Sequence, residues 1–221
     1  MKPLRLTMLL VVCLAVTAPA LTPIGPPTTV LKQGQFEVGG VFGWSENEVE
    51  FSGSVGEVDD LEFNTILVRP AVGIASDRME IFGLLGCGEF EDADDTAIGF
   101  GLRVTTNLEE QLSWGLVGQI VWFEADERMR IDSFYGDADL NFYEAQVGIG
   151  PCWRHDIFVF YGGPFLHFID GELTRTIDME QSEWIGAFIG GGLDLGPANA
   201  VVEVQATRSD VGVGVNVALR F

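Results

Sequence analysis

The sequence is poor in the residues that most often carry catalysis or bind metals. Its 221 residues include only three cysteines and two histidines. Neither histidine belongs to an H-E-x-x-H pattern, and the chain contains no G-x-S-x-G and no C-x-x-C. His155 falls in a short predicted turn, and His167 lies on the polar face of a predicted strand with no serine nucleophile placed beside it. We therefore predict that the protein is not an enzyme and has no catalytic residues, no cofactor and no metal site.

Positive charge is also scarce. Twelve lysines and arginines stand against 33 acidic residues, and the formal net charge is −21 at pH 7. Such a chain repels phosphates, which argues against nucleic acid as a partner. Two acidic runs, at residues 92–95 and 137–139, superficially look like the start of a calcium loop. Both lack the glycine and the glutamate that such a loop needs further along, so neither predicts a calcium site.

Long apolar runs are absent after the N-terminal stretch, because glycines and charges interrupt each of them. No transmembrane helix is therefore predicted, since one needs about 20 apolar residues in succession. The N-terminus has the parts of a secretory signal peptide: a positively charged start, an apolar core over residues 6–16, and the small residues Ala18 and Ala20. We predict a signal peptide over residues 1–20 and a mature chain that begins near Leu21.

What the chain does have is alternation. Residues 21–34 form a lead-in with three prolines and no periodicity. From residue 35 onward, apolar side chains alternate with small or polar ones in ten candidate strands, joined as hairpins. The strand that begins at Met79 is the least regular, and its faces cannot be assigned. The predicted fold is all-β, a single antiparallel up-and-down barrel over residues 35–221, with ten strands preferred and eight as the rival count.

The clearest of these strands is the last, residues 211–221, which reads VGVGVNVALRF. Its odd-numbered positions are large and apolar, and its even-numbered positions are small or polar. With Phe221 as its terminus, this strand resembles the C-terminal strand of bacterial outer-membrane β-barrel proteins, in particular the small OmpA/OmpX/OmpW-like and porin-family barrels. The resemblance implies an exported transmembrane barrel that contacts outer-membrane lipid. It also implies that Phe221, Leu219 and Val217 form the signal read by the barrel-assembly machinery.

The connections between strands favour the same interpretation. They alternate between long and short over most of the chain, as in membrane barrels with longer outer loops. Of the 33 acidic residues, 24 fall in or beside the predicted outward connections, namely residues 46–62, 89–95, 124–139, 170–183 and Asp210. This distribution predicts an anionic outer rim. Non-specific binding of divalent cations there stays open beside the simpler interpretation of a solvated, repulsive surface.

Aromatic residues lie near the predicted strand ends, where membrane barrels carry aromatic girdles. They are Trp44, Trp114, Trp122, Tyr143, Trp153 and Trp184. The alternative is that they are edge residues of a soluble core. Cys87 and Cys152 are predicted toward opposite ends of the wall, so two unpaired thiols are favoured over a disulfide.

The faces opposite the apolar ones carry glycines and a few charged residues, and we expect them to line the lumen. A charge inside a narrow barrel needs a partner, because its desolvation costs several kcal/mol. We predict a lumenal charge network in which Arg103 and Arg220 pair with glutamates drawn from Glu37, Glu144 and Glu203. The interior of such a barrel is about wide enough for its own side chains, so a filled or very narrow lumen is expected.

The predicted function is that of an integral outer-membrane barrel with a structural or surface-interaction role and acidic outer loops. Three alternatives stay open at the level of sequence. They are a narrow channel for small solutes, an outer-membrane enzyme, and a soluble lipocalin-like barrel that binds a ligand.

Overall fold

A computed structural model describes residues 22–51, 56–75, 78–90, 93–107, 111–131, 134–173, 177–181 and 184–221. The predicted signal peptide and Leu21 lie outside these residues. Near the ends of several long strands only the backbone is described, and most side chains of the predicted anionic rim, including residues 92–95 and 137–139, lie outside the description.

Ten antiparallel strands close into an up-and-down barrel, and an eleventh short strand lies at one end of it. In chain order the strands are β1 (Phe36–Phe51), β2 (Gly56–Ile74), β3 (Met79–Phe90), β4 (Ala93–Asn107), β5 (Leu112–Ile131), β6 (Phe134–His155), β7 (Phe158–Leu173), β8 (Ile177–Gln181), β9 (Ile185–Asp194), β10 (Ala198–Ala206) and β11 (Val211–Arg220). Strand β1 pairs with β11 to close the ring. The predicted all-β fold and the preferred count of ten barrel strands are confirmed. The described residues contain no helix long and apolar enough to cross a membrane.

The outer wall of the barrel is apolar, because every second side chain of each strand points outward. On β11 these outward residues include Val211, Val217 and Leu219, all of them exposed, whereas Asn216 and Ala218 between them are buried. Other exposed apolar residues on the wall are Phe42, Ile66, Val68, Leu85, Ile98, Phe100, Leu116, Val147, Ile149, Phe160, Leu166, Ile189 and Val204. So large and continuous an exposed apolar surface requires hydrocarbon around it.

Two aromatic belts bound this wall. Trp122 of β5 and Tyr143 of β6 are register partners at one level, and Trp114 and Trp153 lie on the same two strands near their other ends. Tyr143 and Trp153 are ten positions apart on β6. At ~3.3 Å per residue and a tilt of ~40°, this separation spans ~25 Å, which is the height of the apolar band of a membrane barrel.

The wall has two different ends. One end, here called the short-turn end, carries the beginning of β1, the end of β11 and the connections β2–β3, β4–β5, β6–β7 and β9–β10. At the opposite, long-strand end, the strands extend by unequal amounts. Strand β6 has 22 residues and β11 only 10, and about 9–11 residues suffice to cross the membrane. About half of β6 therefore extends beyond the bilayer.

This extension corrects a sequence prediction. Residues 124–139 were expected to be a polar connection, but the backbone pairing of β5 with β6 continues to Ile131 and Phe134. Similarly, the predicted loop over residues 170–183 contains the end of β7 and the strand β8, which pairs with β7 on one side and with β1 on the other. The reason is that hydrophobic alternation ends where lipid ends, whereas strand pairing in water does not require it.

Candidate functional site: the plugged lumen

The N-terminal lead-in lies inside the barrel. Residues 22–31, here called the plug, fill the lumen without joining any strand. Thr22 and Ile24 are fully buried, and Thr28 and Leu31 nearly so. The plug contains no charged residue and three prolines. Because proline has no N–H group, this composition reduces the number of backbone donors that the lumen must satisfy.

Glycines on the inner face of the wall make room for the plug. Gly43 of β1 and Gly214 of β11 are register partners at the seam where the ring closes, and Pro23 packs against both. A methyl group on Gly214 would lie 1.7 Å from Cγ of Pro23, and one on Gly43 would lie 2.9 Å from its Cδ. A methyl group on Gly115 would lie 2.2 Å from the carbonyl oxygen of Pro27. The plug therefore occupies volume that larger side chains would fill.

One end of the plug meets a buried carboxylate, Glu144 of β6. Its Oε1 accepts hydrogen bonds from the backbone N–H of Thr22 at 3.3 Å and from Nε2 of Gln146 at 2.9 Å, and its Oε2 accepts one from the Thr22 hydroxyl. Nε2 of His167 lies 2.9 Å from the same Oε1. Both His167 and Gln146 are fully buried. Glu144 thus holds the start of the plug against the wall.

A second buried carboxylate, Glu203 of β10, holds the next part of the plug. Its Oε1 accepts hydrogen bonds from the backbone N–H of Ile24 at 2.9 Å and from Nε2 of Gln205 at 2.7 Å. The amide group of Gln119 donates to the carbonyl oxygen of Thr22 at 3.1 Å. These contacts form a polar layer around the plug in the middle of the lumen.

Nearer the short-turn end, arginines and carboxylates alternate. Nη1 of Arg103 forms an ion pair with Glu80, and its Nη2 donates to the carbonyl oxygen of Ile24 at 2.8 Å. Nη2 of Arg69 lies 2.7 Å from Oε1 of Glu37 and 3.9 Å from Oε1 of Glu80. Both guanidinium groups lie over the ring of Phe82, at 5.2 Å for Arg69 and 4.9 Å for Arg103. This layer is therefore charge-paired and packed at the same time.

Arg220 completes this layer at the seam. Its Nε lies 2.9 Å from Oε2 of Glu37, and its Nη1 lies 2.7 Å from Oδ1 of Asp194. Glu37 and Arg220 come together because they are register partners of β1 and β11. Asn199 also donates to Oε2 of Glu37 at 2.8 Å.

The five residues expected to form one lumenal network are therefore divided between two layers. Glu37, Arg103 and Arg220 lie in the arginine-rich layer, where Arg103 pairs with Glu80. Glu144 and Glu203 lie in the polar layer and contact the plug instead of an arginine. Glu80 was missed because the faces of β3 could not be assigned, and its alternation with buried Phe82 and Leu84 was the available signal.

A cavity of about 30 Å³, large enough to hold water, lies between the plug residue Thr28 and the arginine-rich layer. Toward the long-strand end, the inward rings of Phe63, Phe123 and Phe142 pack together, with centroids 4.6 Å apart for Phe63 and Phe123 and 4.7 Å apart for Phe123 and Phe142.

The residues of the expected assembly signal lie on the outside of the seam. Phe221, Leu219 and Val217 are exposed, with Phe221 at 73%. The backbone N–H of Phe221 donates to the carbonyl oxygen of Phe36 at 2.9 Å, and the N–H of Phe36 donates back at 3.3 Å. The terminal aromatic ring thus projects outward from a fixed backbone at the short-turn end.

A closed antiparallel barrel with an apolar outer wall and a polar, plugged interior is an architecture that spans membranes, because no backbone edge is left unpaired in lipid. This chain has the fold of such proteins, a closed ten-strand up-and-down β-barrel.

Among known proteins, similarity is found in the structure and not in the sequence. The chain matches no family model and no curated protein. Its structure is similar to an outer-membrane channel from Pseudomonas putida F1, with a TM-score of 0.51 and 9% identity over 91% of this chain and 100% of the other. The translocator domain of the autotransporter NalP from Neisseria meningitidis gives a TM-score of 0.49 at 9% identity, over 86% of this chain and 90% of that one. The N-terminal barrel of Pseudomonas aeruginosa OprF gives a TM-score of 0.38 at 10% identity, over 86% of this chain and 98% of that one.

Proposed function

We propose that this protein is a structural or surface-interacting barrel of the outer membrane whose lumen is closed at rest by its own N-terminal segment. The observation that carries the proposal is the plug, which leaves a cavity of about 30 Å³ beside the arginine-rich layer. The long-strand end, where the longest strands extend beyond the others and most of the acidic residues lie, faces the outside of the cell. The short-turn end faces the periplasm.

Conductance in planar bilayers tests the closed lumen. The mature barrel should be silent, and a variant that lacks residues 22–31 should conduct, because its lumen loses the segment that fills it. Heat-modifiable migration on gels would show that both proteins are folded before they are compared. Steady conductance of the intact barrel, equal to that of the deletion variant, would refute the proposal of a closed lumen.

A narrow channel for small solutes is the second candidate, and one observation favours it. The plug is held mainly by hydrogen bonds with side chains of the wall, such as Glu144 and Glu203, and not by a strand ladder. Its departure would expose a wall lined by Gln119, Gln146 and Gln205, a polar path. If the intact barrel opens under an applied voltage and closes again, the channel function is favoured over the purely structural one.

We also propose that the protein is not an enzyme. The support is the position of His167. It is fully buried, and its Nε2 lies against Glu144, the carboxylate that also binds the plug. A substrate at the outer rim would not reach it. Hydrolysis of lipid or peptide that is lost in His167→Ala, with the barrel still folded, would contradict this proposal.

Two partners complete the proposal. The barrel-assembly machinery would read Phe221, Leu219 and Val217, which project outward at the end of the closing strand. Divalent cations would bind weakly to the acidic connections at the long-strand end. Thermal unfolding in the presence of calcium and of a chelator tests the binding of divalent cations. Identical unfolding midpoints would contradict it.

A further inference from the structure

The cavity between the plug and the arginine-rich layer is surrounded by more positive than negative side chains. Its charged lining consists of four arginines and three carboxylates, namely Arg69, Arg103, Arg154, Arg220, Glu37, Glu80 and Asp194. Glu144 and Glu203 belong to the polar layer and do not line it. Among the described residues around the cavity, one positive charge is therefore left without a negative counterpart.

The surplus charge belongs to Arg154 of β6. Its Nη1 donates to the hydroxyl groups of Thr28 at 2.8 Å and Ser113 at 3.4 Å, and its Nη2 donates to the carbonyl oxygen of Thr28 at 3.3 Å. All three acceptors are uncharged. The three carboxylates are already paired with the other arginines, and no ion pair joins Arg154 to a described carboxylate. Arginine does not lose its proton in proteins, so this charge cannot be removed by titration.

The same arginines also have donors to spare. The Nε–H groups of Arg69, Arg103 and Arg154 are buried and bond to no described group, and Arg69 and Arg103 are only 5% and 2% exposed. Leaving a buried charged donor unsatisfied is costly. The amide of Asn216 lines the cavity as well, with its Oδ1 unpartnered, and by turning over it can present its NH₂ group instead. A water molecule accepts two hydrogen bonds, whereas a halide ion accepts several and also carries the missing charge.

We propose that this cavity is a binding site for a small monovalent anion, chloride, which balances the charge of Arg154 and completes the arginine-rich layer. The cavity measures about 30 Å³, and one water molecule needs about 10–15 Å³ measured in this way. A monatomic ion is therefore accommodated, whereas phosphate and sulfate, with four oxygens around a central atom, are too large. Since Arg154 binds Thr28 and Arg103 binds the carbonyl oxygen of Ile24, an anion between these arginines stabilises the docked plug.

Unfolding in urea tests the proposal with chloride itself as the probe. The purified barrel is folded in detergent micelles, and chloride replaces gluconate, an anion too large for the cavity, at constant ionic strength. We expect the urea midpoint to rise with chloride and then to level off, as it does for a ligand that binds one site of the folded protein. Equal midpoints in chloride and gluconate would overturn the proposal. So would a rise that never levels off, because that is the behaviour of a general salt effect.

Variants separate the charge of Arg154 from its contacts with the plug. Arg154→Gln should lose the dependence on chloride. Arg78→Gln removes the same charge from an exposed position at the short-turn end and should keep it. Thr28→Val removes a hydroxyl that Arg154 binds but no charge, and it should also keep the dependence. The proposal is wrong if Arg154→Gln responds to chloride as the wild-type protein does, or if Arg78→Gln loses the response.

A measurement on the wild-type protein covers the case in which Arg154→Gln fails to fold. Crystals soaked in bromide should show an anomalous scattering peak in the cavity, next to the guanidinium groups, and the absence of a peak there would overturn the proposal. The proposal depends on the position of the plug but not on conductance. Its failure would therefore leave the closed lumen standing, and a barrel that conducts could still bind chloride.

Discussion

Replacement of Gly214 by alanine should weaken the docking of the tip of the plug while leaving the barrel closed. The new methyl group would lie 1.7 Å from Cγ of Pro23 and 2.5 Å from its Cβ. A proline ring has no side-chain rotamer by which to move away, so the conflict falls on the plug backbone. The strand ladder between β10 and β11 is unaffected, because alanine is accommodated in a strand as readily as glycine.

The magnitude follows from the overlap at the seam. Overpacking a buried site costs about 1–3 kcal/mol, and a contact with a rigid ring belongs at the upper end. This penalty acts against the hydrogen bonds that hold the tip, which Thr22 and Ile24 make with Glu144, Glu203, Gln119 and Arg103. The free energy needed to open the tip should therefore fall by about 2–3 kcal/mol.

Hydrogen exchange measured by mass spectrometry provides the assay. A penalty of about 2–3 kcal/mol corresponds to about 30- to 150-fold lower protection of the Ile24 amide in Gly214→Ala than in the wild-type protein. The matched control is Gly118→Ala on the outer wall, where the nearest atom to the new methyl group is 3.8 Å away. If Gly214→Ala keeps the wild-type protection at Ile24, the plug is not seated against this glycine and the reasoning is wrong.

Three further predictions concern pairing, accessibility and assembly. Arg103→Ala removes the arginine nearest to buried Glu80 and leaves it with Arg69 at 3.9 Å, so the free energy of unfolding should fall by about 3 kcal/mol, the lower end of the range for breaking a buried pair; an unchanged urea midpoint would contradict this. In the folded barrel, Cys87 on the exposed face should react with a lipid-soluble maleimide, whereas buried Cys152 should react only after unfolding, and equal labelling of the two would argue against the assigned faces. Deletion of Phe221 should reduce the fraction of protein inserted in the membrane, and normal insertion would remove the support for a terminal assembly signal.

The lipid-facing part of the fold was predictable because lipid imposes one strict demand, apolar side chains at every second position. This demand allowed the two faces of β11 to be assigned from the sequence, with Val211, Val217 and Leu219 outside and Asn216 inside. The faces of β3 could not be assigned, because buried Phe82 and Leu84 are as apolar as the outward residues between and beside them. There the inner face packs against protein, which accepts the same residues as lipid does.

The candidate site was harder to predict because nothing periodic defines it. The lead-in was recognised as non-helical and irregular, yet proline-rich segments of this kind also occur as external linkers. Two signals were present in the sequence. The lead-in lacks charge in a chain of net charge −21, and inward glycines such as Gly43 and Gly214 leave space in the lumen that the side chains of the wall do not fill. Residue positions on a face follow from periodicity, but a segment that enters from the end of a barrel does not share that periodicity.

The location of Pro23 has a consequence for the order in which this protein assembles. Its seat is built half from Gly43 of β1 and half from Gly214 of β11, and these two strands become neighbours only when the ring closes. An open sheet of ten strands therefore offers the N-terminal segment no complete docking position. Conversely, each contact that Pro23 makes across the seam favours the closed ring over the open sheet. Docking of the N-terminal segment and closure of the first strand on the last therefore stabilise each other, so that the segment favours the closed ring.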